Sequence, residues 1–354
     1  MRIAYAAAPV TADPRAENIP GAPAVLDWEA TLAFRRHLWS LGFGVAEAMD
    51  TAQRGAGLDY PATRELIRRT ALQARAGGHP LVAGVATDQL PFGPAGLDDI
   101  RKAYAEQLHD VQQAGAVPVL MCSRHLAAAA RSADDYLAVY GDLLAQADQP
   151  VILHWLGESF DPALAGYWGS ADVATATATV LTLIRAHADR VAGIKVSLLD
   201  AALEVGLRRQ LPPGVRMYTG DDFHYPELIK GDEQGFSHAL LGVFAVIAPP
   251  AAAALRALNA GDPAGYDRIL APTVPLARHL FAAPTYYYKT GITFLNWIAG
   301  HQDHFVMVGG LQSGRSPLHL AELLRLADAA GILPDPHLAA YRARAWLSTV
   351  GLGR

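Results

Sequence analysis

Residues 116–154 read AVPVLMCSRHLAAAARSADDYLAVYGDLLAQADQPVILH and contain the repeating unit of the fold. The short apolar run Ala116–Met121 comes first. It is followed by Ala133–Ala147, in which apolar residues recur at the three- and four-residue intervals of a helix. A second apolar run, Pro150–His154, comes next. Short apolar runs that alternate with longer helical patterns are typical of parallel strands connected by helices.

The same alternation continues along most of the chain and provides eight candidate strands. They are Arg2–Ala8, Gly44–Ala48, Leu81–Ala86, Ala116–Met121, Pro150–His154, Val191–Val196, Arg216–Thr219 and a short run near Gln234–Ser237. Eight strands separated by helices predict an α/β protein, a closed (β/α)8 TIM barrel with additional C-terminal helices. We predict a barrel catalytic domain over residues 1–260 and a C-terminal helical extension, packed on the barrel, over residues 261–354.

Composition and charge exclude several classes of protein. Apolar residues make up 51% of the 354 residues and charged residues 18%, which favours a large core over disorder. The formal net charge of −5 predicts no nucleic-acid partner. A single cysteine, Cys122, excludes an internal disulfide framework and a thiolate zinc cage, and it favours a reducing compartment. We therefore expect a cytoplasmic protein.

Two apolar stretches could in principle mark membrane or export segments. Ala239–Leu258 is interrupted by Pro249 and Pro250, and the apolar residues before the prolines are too few to span a bilayer. We expect a buried barrel helix there and no membrane partner. The run Ile3–Val10 is marginal for a signal peptide, and a first barrel strand explains it equally well.

Lysine usage points to one residue as a candidate for chemistry. Only four of the 29 basic residues are lysines, and Lys195 lies inside the apolar run Val191–Leu199. A buried ammonium tends to lose its proton, and a neutral amine is the nucleophile that forms a Schiff base with a carbonyl compound. A lysine at a strand end that reaches solvent or pairs with a carboxylate is the alternative. The spacing alone leaves both open.

Several motifs, in order, resemble those of the dihydrodipicolinate synthase/N-acetylneuraminate lyase family, of which the chain looks like an outlying, uncharacterised branch. They are Leu81–Val85 with Gln113–Ala116, Pro150–His154, Gly193-Ile-Lys195, Tyr218-Thr-Gly-Asp-Asp222, the Gly-rich run Gly231–Ser237 and Tyr288-Lys289. The resemblance implies a TIM barrel in which Lys195 forms the Schiff base. It also implies a lyase without a cofactor, a small-molecule carbonyl substrate, and a homo-oligomer, either a dimer or a tetramer.

Two departures from the family pattern affect the predicted site. The Gly-Thr-Thr-Gly-Glu turn that binds the substrate carboxylate in the family is replaced by Glu47–Gly57, where Asp50 and Thr51 are the candidate substitutes. The proton-shuttling tyrosine of the fifth strand is replaced by His154. An imidazole can also give and take a proton, so we predict a catalytic His154, with hydrogen-bond capping of the strand as the alternative. In members of the family that use pyruvate, an arginine often follows this tyrosine. Trp155–Phe160 contains no arginine, so pyruvate is not assigned as the substrate.

Other polar residues follow predicted strand ends and are candidates for substrate binding. Arg124 follows the fourth strand and could bind a carboxylate or phosphate, with a structural salt bridge as the alternative. Asp222 follows the seventh strand, where one aspartate of the Asp-Asp pair is also expected to cap the next helix. Ser237 and His238 are predicted to end the eighth strand and to face the pocket.

These residues favour a class I lyase or aldolase that acts on a 2-keto acid or keto-sugar derivative through Lys195. One alternative is a metal-dependent sugar isomerase or epimerase on the same fold, and another is a barrel that binds a ligand without turnover. The candidate metal ligands for the first alternative are Asp222, His154, His224 and His238. His301 and His304 also have a spacing compatible with a metal, but they lie in the C-terminal extension, and we assign no metal site.

Overall fold

A computed structural model describes residues 1–353. Its strands are β1 (Ala4–Ala7), β2 (Gly44–Glu47), β3 (Leu81–Val85), β4 (Val117–Leu120), β5 (Val151–Leu156), β6 (Val191–Ser197), β7 (Arg216–Thr219) and β8 (His238–Leu241). These parallel strands are hydrogen-bonded in chain order and close into a barrel. The predicted TIM barrel is confirmed.

Helices alternate with the strands and continue beyond them. They are α1 (Trp28–Ser40), α2 (Tyr60–Gly77), α3 (Leu97–Ala114), α4 (Arg124–Ala129), α5 (Ala133–Gln146), α6 (Val173–Ala186), α7 (Ala201–Arg208), α8 (Tyr225–Lys230), α9 (Ala248–Asn259), α10 (Pro263–Leu270), α11 (Thr273–Leu280), α12 (Tyr288–Ile298), α13 (Pro317–Ala329) and α14 (Pro336–Thr349). The predicted C-terminal helices are therefore present. Within residues 1–353, no helix combines the length and the apolar character needed to cross a bilayer.

Contacts between residues divide the chain into two compact units. The central unit consists of Arg2–Ala4 and Arg64–Leu240, and the terminal unit consists mainly of Tyr5–Thr63 and the chain from Leu241 onward. The division into a barrel over residues 1–260 and an extension over residues 261–354 stays a prediction.

Helix boundaries follow from local chemistry that is visible in the sequence. Helix α3 ends at Gly115, which has a φ of 83°. Only glycine adopts this left-handed conformation without strain, which explains the stop at this point. Helix α7 begins after Asp200, whose carboxylate accepts a hydrogen bond from the backbone N–H of Leu203 at 3.0 Å. The strand that carries Lys195 is thus followed by a capped helix.

The eighth strand begins later than predicted. The expected run near Gln234–Ser237 belongs mostly to a turn in which Gly231 and Gly235 have φ angles of 81° and 142°. The backbone N–H of Asp232 bonds the carbonyl of Gly235 across this turn, so these residues do not pair with a neighbouring strand. The expectation that Ser237 and His238 end β8 is therefore wrong. They stand immediately before it and at its first position.

A buried ion pair ties α1 to β2 in the terminal unit. Arg35 donates two hydrogen bonds to the Glu47 carboxylate, at 2.9 and 2.8 Å, and both side chains are 0% exposed. Glu47 also accepts the backbone N–H of Ala48, which has a left-handed φ of 52°. A bidentate pair of this kind satisfies both charges out of water. It fixes the end of β2 and the start of the turn that follows.

Candidate active site

Lys195 lies in the middle of β6, the longest of the described strands, and its burial agrees with the apolar sequence around it. The residue is only 7% exposed. In the sheet it stands opposite His154 of β5 and Tyr218 of β7. Because side chains alternate along a strand, Lys195 and Ser197 share one face of β6. A lysine in this position is separated from bulk water by the neighbouring strands.

Gly220, just after β7, makes room for the Lys195 side chain. A Cβ atom at position 220 would lie 2.6 Å from Cε of Lys195 and 2.1 Å from Oγ of Ser197. Both distances are well below van der Waals contact, so any other residue here would displace the two side chains. The glycine of the Tyr218–Asp222 motif is therefore required by the packing around the lysine.

His154 is fully buried and is uncharged at neutral pH. Its Nε2 lies 3.2 Å from Oγ of Ser197, and its Nδ1 has no hydrogen-bond partner among the residues that the structure describes. Burial, and then the positive charge of Lys195, hold the pKa of His154 well below its usual value. A neutral imidazole has one nitrogen that donates and one that accepts. The ring can therefore exchange a proton with a group beside Lys195.

The two aspartates after β7 have different roles. Asp221 accepts hydrogen bonds from the backbone N–H groups of Phe223 and His224, at 2.8 and 3.0 Å, and from Nδ1 of His224 at 2.9 Å. These bonds close the turn before α8; the helix follows His224, which makes no side-chain capping bond, so the expectation that one aspartate of the pair caps it is wrong. Asp222 is 3% exposed and stays the candidate for substrate binding.

Arg124 and Cys122 follow β4 and are both engaged within the protein. Arg124 forms a salt bridge with Asp161. A structural salt bridge is the alternative that the sequence left open for Arg124. Binding of substrate by Arg124 stays a prediction. The Cys122 thiol donates to the carbonyl of His154 at 3.2 Å, and its sulfur accepts the backbone N–H of Leu156 at 3.4 Å. These bonds connect β4 to β5 beside His154.

Ser237 and His238 do not join the residues around Lys195. Ser237 is fully buried and donates to a Glu204 carboxylate oxygen at 2.6 Å. Nδ1 of His238 accepts the backbone N–H of Ile3 at 3.0 Å. Since the site of a TIM barrel is built at the carboxyl ends of its strands, residues at the start of β8 lie at the opposite end of that strand.

Glu204 is a buried acid that the sequence analysis missed. It lies in α7 and is 1% exposed. Burial raises its pKa to about 8, and hydrogen bonds from Ser237 and Thr219 oppose this shift only in part. No motif marks the position. Its place on the buried side of an eight-residue helix was the only available signal.

The turn after β2 lies in the terminal unit. Asp50 begins a short 3-10 turn that ends at Ala52, and Thr51 is 2% exposed. The Thr51 hydroxyl lies 2.9 Å from the hydroxyl of Tyr288, at the start of α12. This bond connects the turn to the Tyr288-Lys289 motif. Binding of substrate by Asp50 and Thr51 stays a prediction.

The histidines proposed for a metal-dependent enzyme have other partners. His224 bonds Asp221, and His238 bonds the backbone of Ile3. Over residues 1–353, no three His, Cys, Asp or Glu side chains are grouped in a way that could hold a metal ion.

Comparison with known proteins agrees with this architecture. Dihydrodipicolinate synthase from Aquifex aeolicus has a TM-score of 0.72 at 14% identity, over 94% of this chain and 99% of that chain. The E. coli K12 prophage protein YagE, of the dihydrodipicolinic acid synthase family and solved with pyruvate, has a TM-score of 0.70 at 19% identity, over 93% and 99% of the two chains. The 4-hydroxy-tetrahydrodipicolinate synthase of Methylacidiphilum fumariolicum SolV has a TM-score of 0.70 at 15% identity, over 99% and 98%.

The resemblance noted in the sequence is confirmed by these structures, which share the fold at low identity. No curated protein matches the chain. The model of one protein family matches residues 1–352, and the chain belongs to that family, which is described as protein of unknown function DUF993.

Proposed function

We propose that this protein is a class I lyase that forms a Schiff base through Lys195 with a 2-keto acid or keto-sugar derivative. The observation that carries the proposal is the buried lysine, which shares a strand face with Ser197 and stands opposite a neutral His154. The fold of lyases such as dihydrodipicolinate synthase supports it. So does the pyruvate complex of YagE, a structure of the same fold.

The proposed chemistry requires Nζ of Lys195 to react as a neutral amine. Nζ of Lys195 adds to the substrate carbonyl, and the carbonyl oxygen leaves as water, which produces an iminium. His154 takes the proton of a hydroxyl two carbons from the imine carbon. The C–C bond between the hydroxyl-bearing carbon and the carbon next to the imine then breaks. Its electron pair forms an enamine, and the fragment that carried the hydroxyl is released as an aldehyde. His154 returns the proton to the enamine carbon, and water hydrolyses the imine to free the keto product and the amine.

The remaining predicted site residues are proposed to orient the substrate. Asp222 and Arg124 follow strands of the central unit at their carboxyl ends, the usual location of barrel sites. The proposal that Asp50 and Thr51 bind substrate rests on their place in the chain after β2. It is independent of the geometry around Lys195. The small-molecule substrate, the homo-oligomeric state and the cytoplasmic location likewise stay predictions.

Reductive trapping tests the proposal directly. The protein is treated with borohydride in the presence of pyruvate, 2-oxobutyrate or 2-keto-3-deoxygluconate, and the modified peptide is identified by mass spectrometry. We expect an adduct on Lys195 with at least one probe and none in Lys195→Ala. Lys102→Ala is the matched control, because Lys102 is exposed on α3. An adduct that survives in Lys195→Ala, or none with any probe, would refute the mechanism.

A further inference from the structure

Three side chains of the central unit form one contiguous group around the proposed Schiff base. Ser197 and Lys195 share a face of β6, and the His154 ring reaches this face from β5. Oγ of Ser197 and Cε of Lys195 both lie within 2.6 Å of the point where a Gly220 Cβ would be, so these two atoms are neighbours. The Ser197 hydroxyl therefore contacts the imidazole and lies beside the end of the lysine chain.

The Ser197 hydroxyl forms its hydrogen bond with the His154 ring. Ser197 is 1% exposed, and burial of a hydroxyl is unfavourable unless a hydrogen bond compensates it. Within the described residues, its hydrogen bond is the one at 3.2 Å to Nε2 of His154. The hydroxyl caps no helix there. The partner that the structure shows for this hydroxyl is therefore the His154 ring.

The hydrogen bond between Ser197 and Nε2 also holds the His154 ring. His154 is 0% exposed, and its other nitrogen, Nδ1, has no partner among residues 1–353. A serine hydroxyl can donate to Nε2 or accept from it, so this bond is available to either tautomer of the neutral ring. Since Ser197 supplies the bond, it fixes the orientation of the ring.

Gly220 limits the freedom of the hydroxyl. An added Cβ there would lie 2.1 Å from Oγ of Ser197 and 2.6 Å from Cε of Lys195, so both side chains pack against the glycine. Close packing of this kind restricts the rotamers of a side chain. The hydrogen bond to His154 is therefore a fixed feature of the packing around the lysine.

We propose that Ser197 is a positioning residue that fixes the orientation of His154 for proton transfer beside the Lys195 imine. This inference rests on the proposed function and adds to it a residue that no family motif in the sequence identified. Ser197 acts through His154 and takes no part in forming the imine. Its loss should therefore slow proton transfer without preventing the attachment of a carbonyl compound to Lys195.

The experiment compares wild type with Ser197→Ala and Ser197→Cys, and with Ser132→Ala as a control. Ser132 is exposed, and its side chain makes no capping bond. Exchange of the probe's carbon-bound protons for deuterium, followed by NMR, reports proton transfer at the carbon next to the imine. The borohydride adduct reports imine formation with the same three probes. Histidine ¹⁵N NMR, assigned with His154→Asn, reports the hydrogen bond at Nε2 of His154.

In Ser197→Ala we expect deuterium exchange to fall roughly tenfold to a hundredfold, the usual effect of a displaced reacting group. The yield of the Lys195 adduct should stay within about twofold of wild type, as expected for a residue that only positions another group. The ¹⁵N signal of Nε2 of His154 should shift, because the hydrogen bond to this nitrogen is lost. Ser197→Cys should be intermediate, because a thiol is a weaker donor, and Ser132→Ala should match wild type.

Two results overturn the inference and can be told apart. If wild type forms an adduct and Ser197→Ala exchanges deuterium at the wild-type rate, Ser197 is not a positioning residue and the Schiff-base proposal stands. If wild type forms no adduct with any probe, the proposed function fails and this inference fails with it.

Discussion

Replacement of Glu204 by glutamine should stabilise the protein by an amount that increases with pH. Burial raises the pKa of this carboxyl from 4.5 to about 8, so it is protonated in the folded state at neutral pH and ionised in the unfolded state. Between these two values the unfolded state binds fewer protons, and the stability of wild type falls as pH rises. Glutamine has no proton to lose and still offers Ser237 an acceptor.

The magnitude follows from the two pKa values. Each pH unit between 4.5 and about 8 changes the free energy of unfolding by about 1.4 kcal/mol. Glu204→Gln should therefore be about 1 kcal/mol more stable than wild type near pH 5, and about 3 kcal/mol more stable near pH 7. Above the folded pKa the difference should level off at about 5 kcal/mol.

Urea unfolding followed by circular dichroism from pH 5 to pH 9 measures this difference. Glu17→Gln is the control, since Glu17 is exposed, and it should follow wild type at every pH. A difference between Glu204→Gln and wild type that is the same at all pH values would refute the reasoning, because the carboxyl would then have one pKa in both states. A difference that decreases with pH would refute it as well.

Two further substitutions test the packing of each unit. Gly220→Ala places a Cβ 2.6 Å from Cε of Lys195, so we expect overpacking to lower the free energy of unfolding by about 1–3 kcal/mol. The yield of the borohydride adduct should fall at least about tenfold. Gly206→Ala is the control, because a Cβ there would have no atom within 4 Å, and it should keep the wild-type yield. Arg35→Met leaves the buried Glu47 carboxylate without its arginine, so thermal unfolding should show a loss of stability of about 3–5 kcal/mol. The double variant, Arg35→Met with Glu47→Leu, should recover most of this loss because it removes the unpaired charge. Equal stability of the single and double variants would contradict this account.

Much of the fold could be predicted because it depends on local pattern. The central strands of a parallel sheet are covered on both faces, so they are near-continuous apolar runs, and seven of the eight strands lie where such runs predict them. Gly115 ends α3 because glycine adopts the left-handed conformation there without strain. The eighth strand was misplaced because the Gly-rich run Gly231–Ser237, whose one large apolar residue is Phe236, forms a turn, and the apolar residues of the strand begin only at Ala239.

The candidate site could be predicted only in part. Lys195 was identified because an ammonium inside an apolar strand conflicts with its surroundings, and that conflict is visible in the chain itself. The bond from His154 to Ser197 joins residues 43 positions apart, and the space left by Gly220 exists only once β7 lies beside β6. The burial of Glu204 also depends on how α7 packs.

The sequence by itself determined the alternation of strands and helices that closes into the barrel, and it pointed to a buried Lys195, because hydrophobic period and residue chemistry are local properties of the chain. Only the tertiary structure decided which polar side chains meet. It brought Ser197 to His154, paired Arg124 with Asp161, and placed Ser237 against Glu204. The physical reason is that a hydrogen bond needs its two groups within about 3 Å. Distance along the chain does not fix that separation until strands and helices have packed.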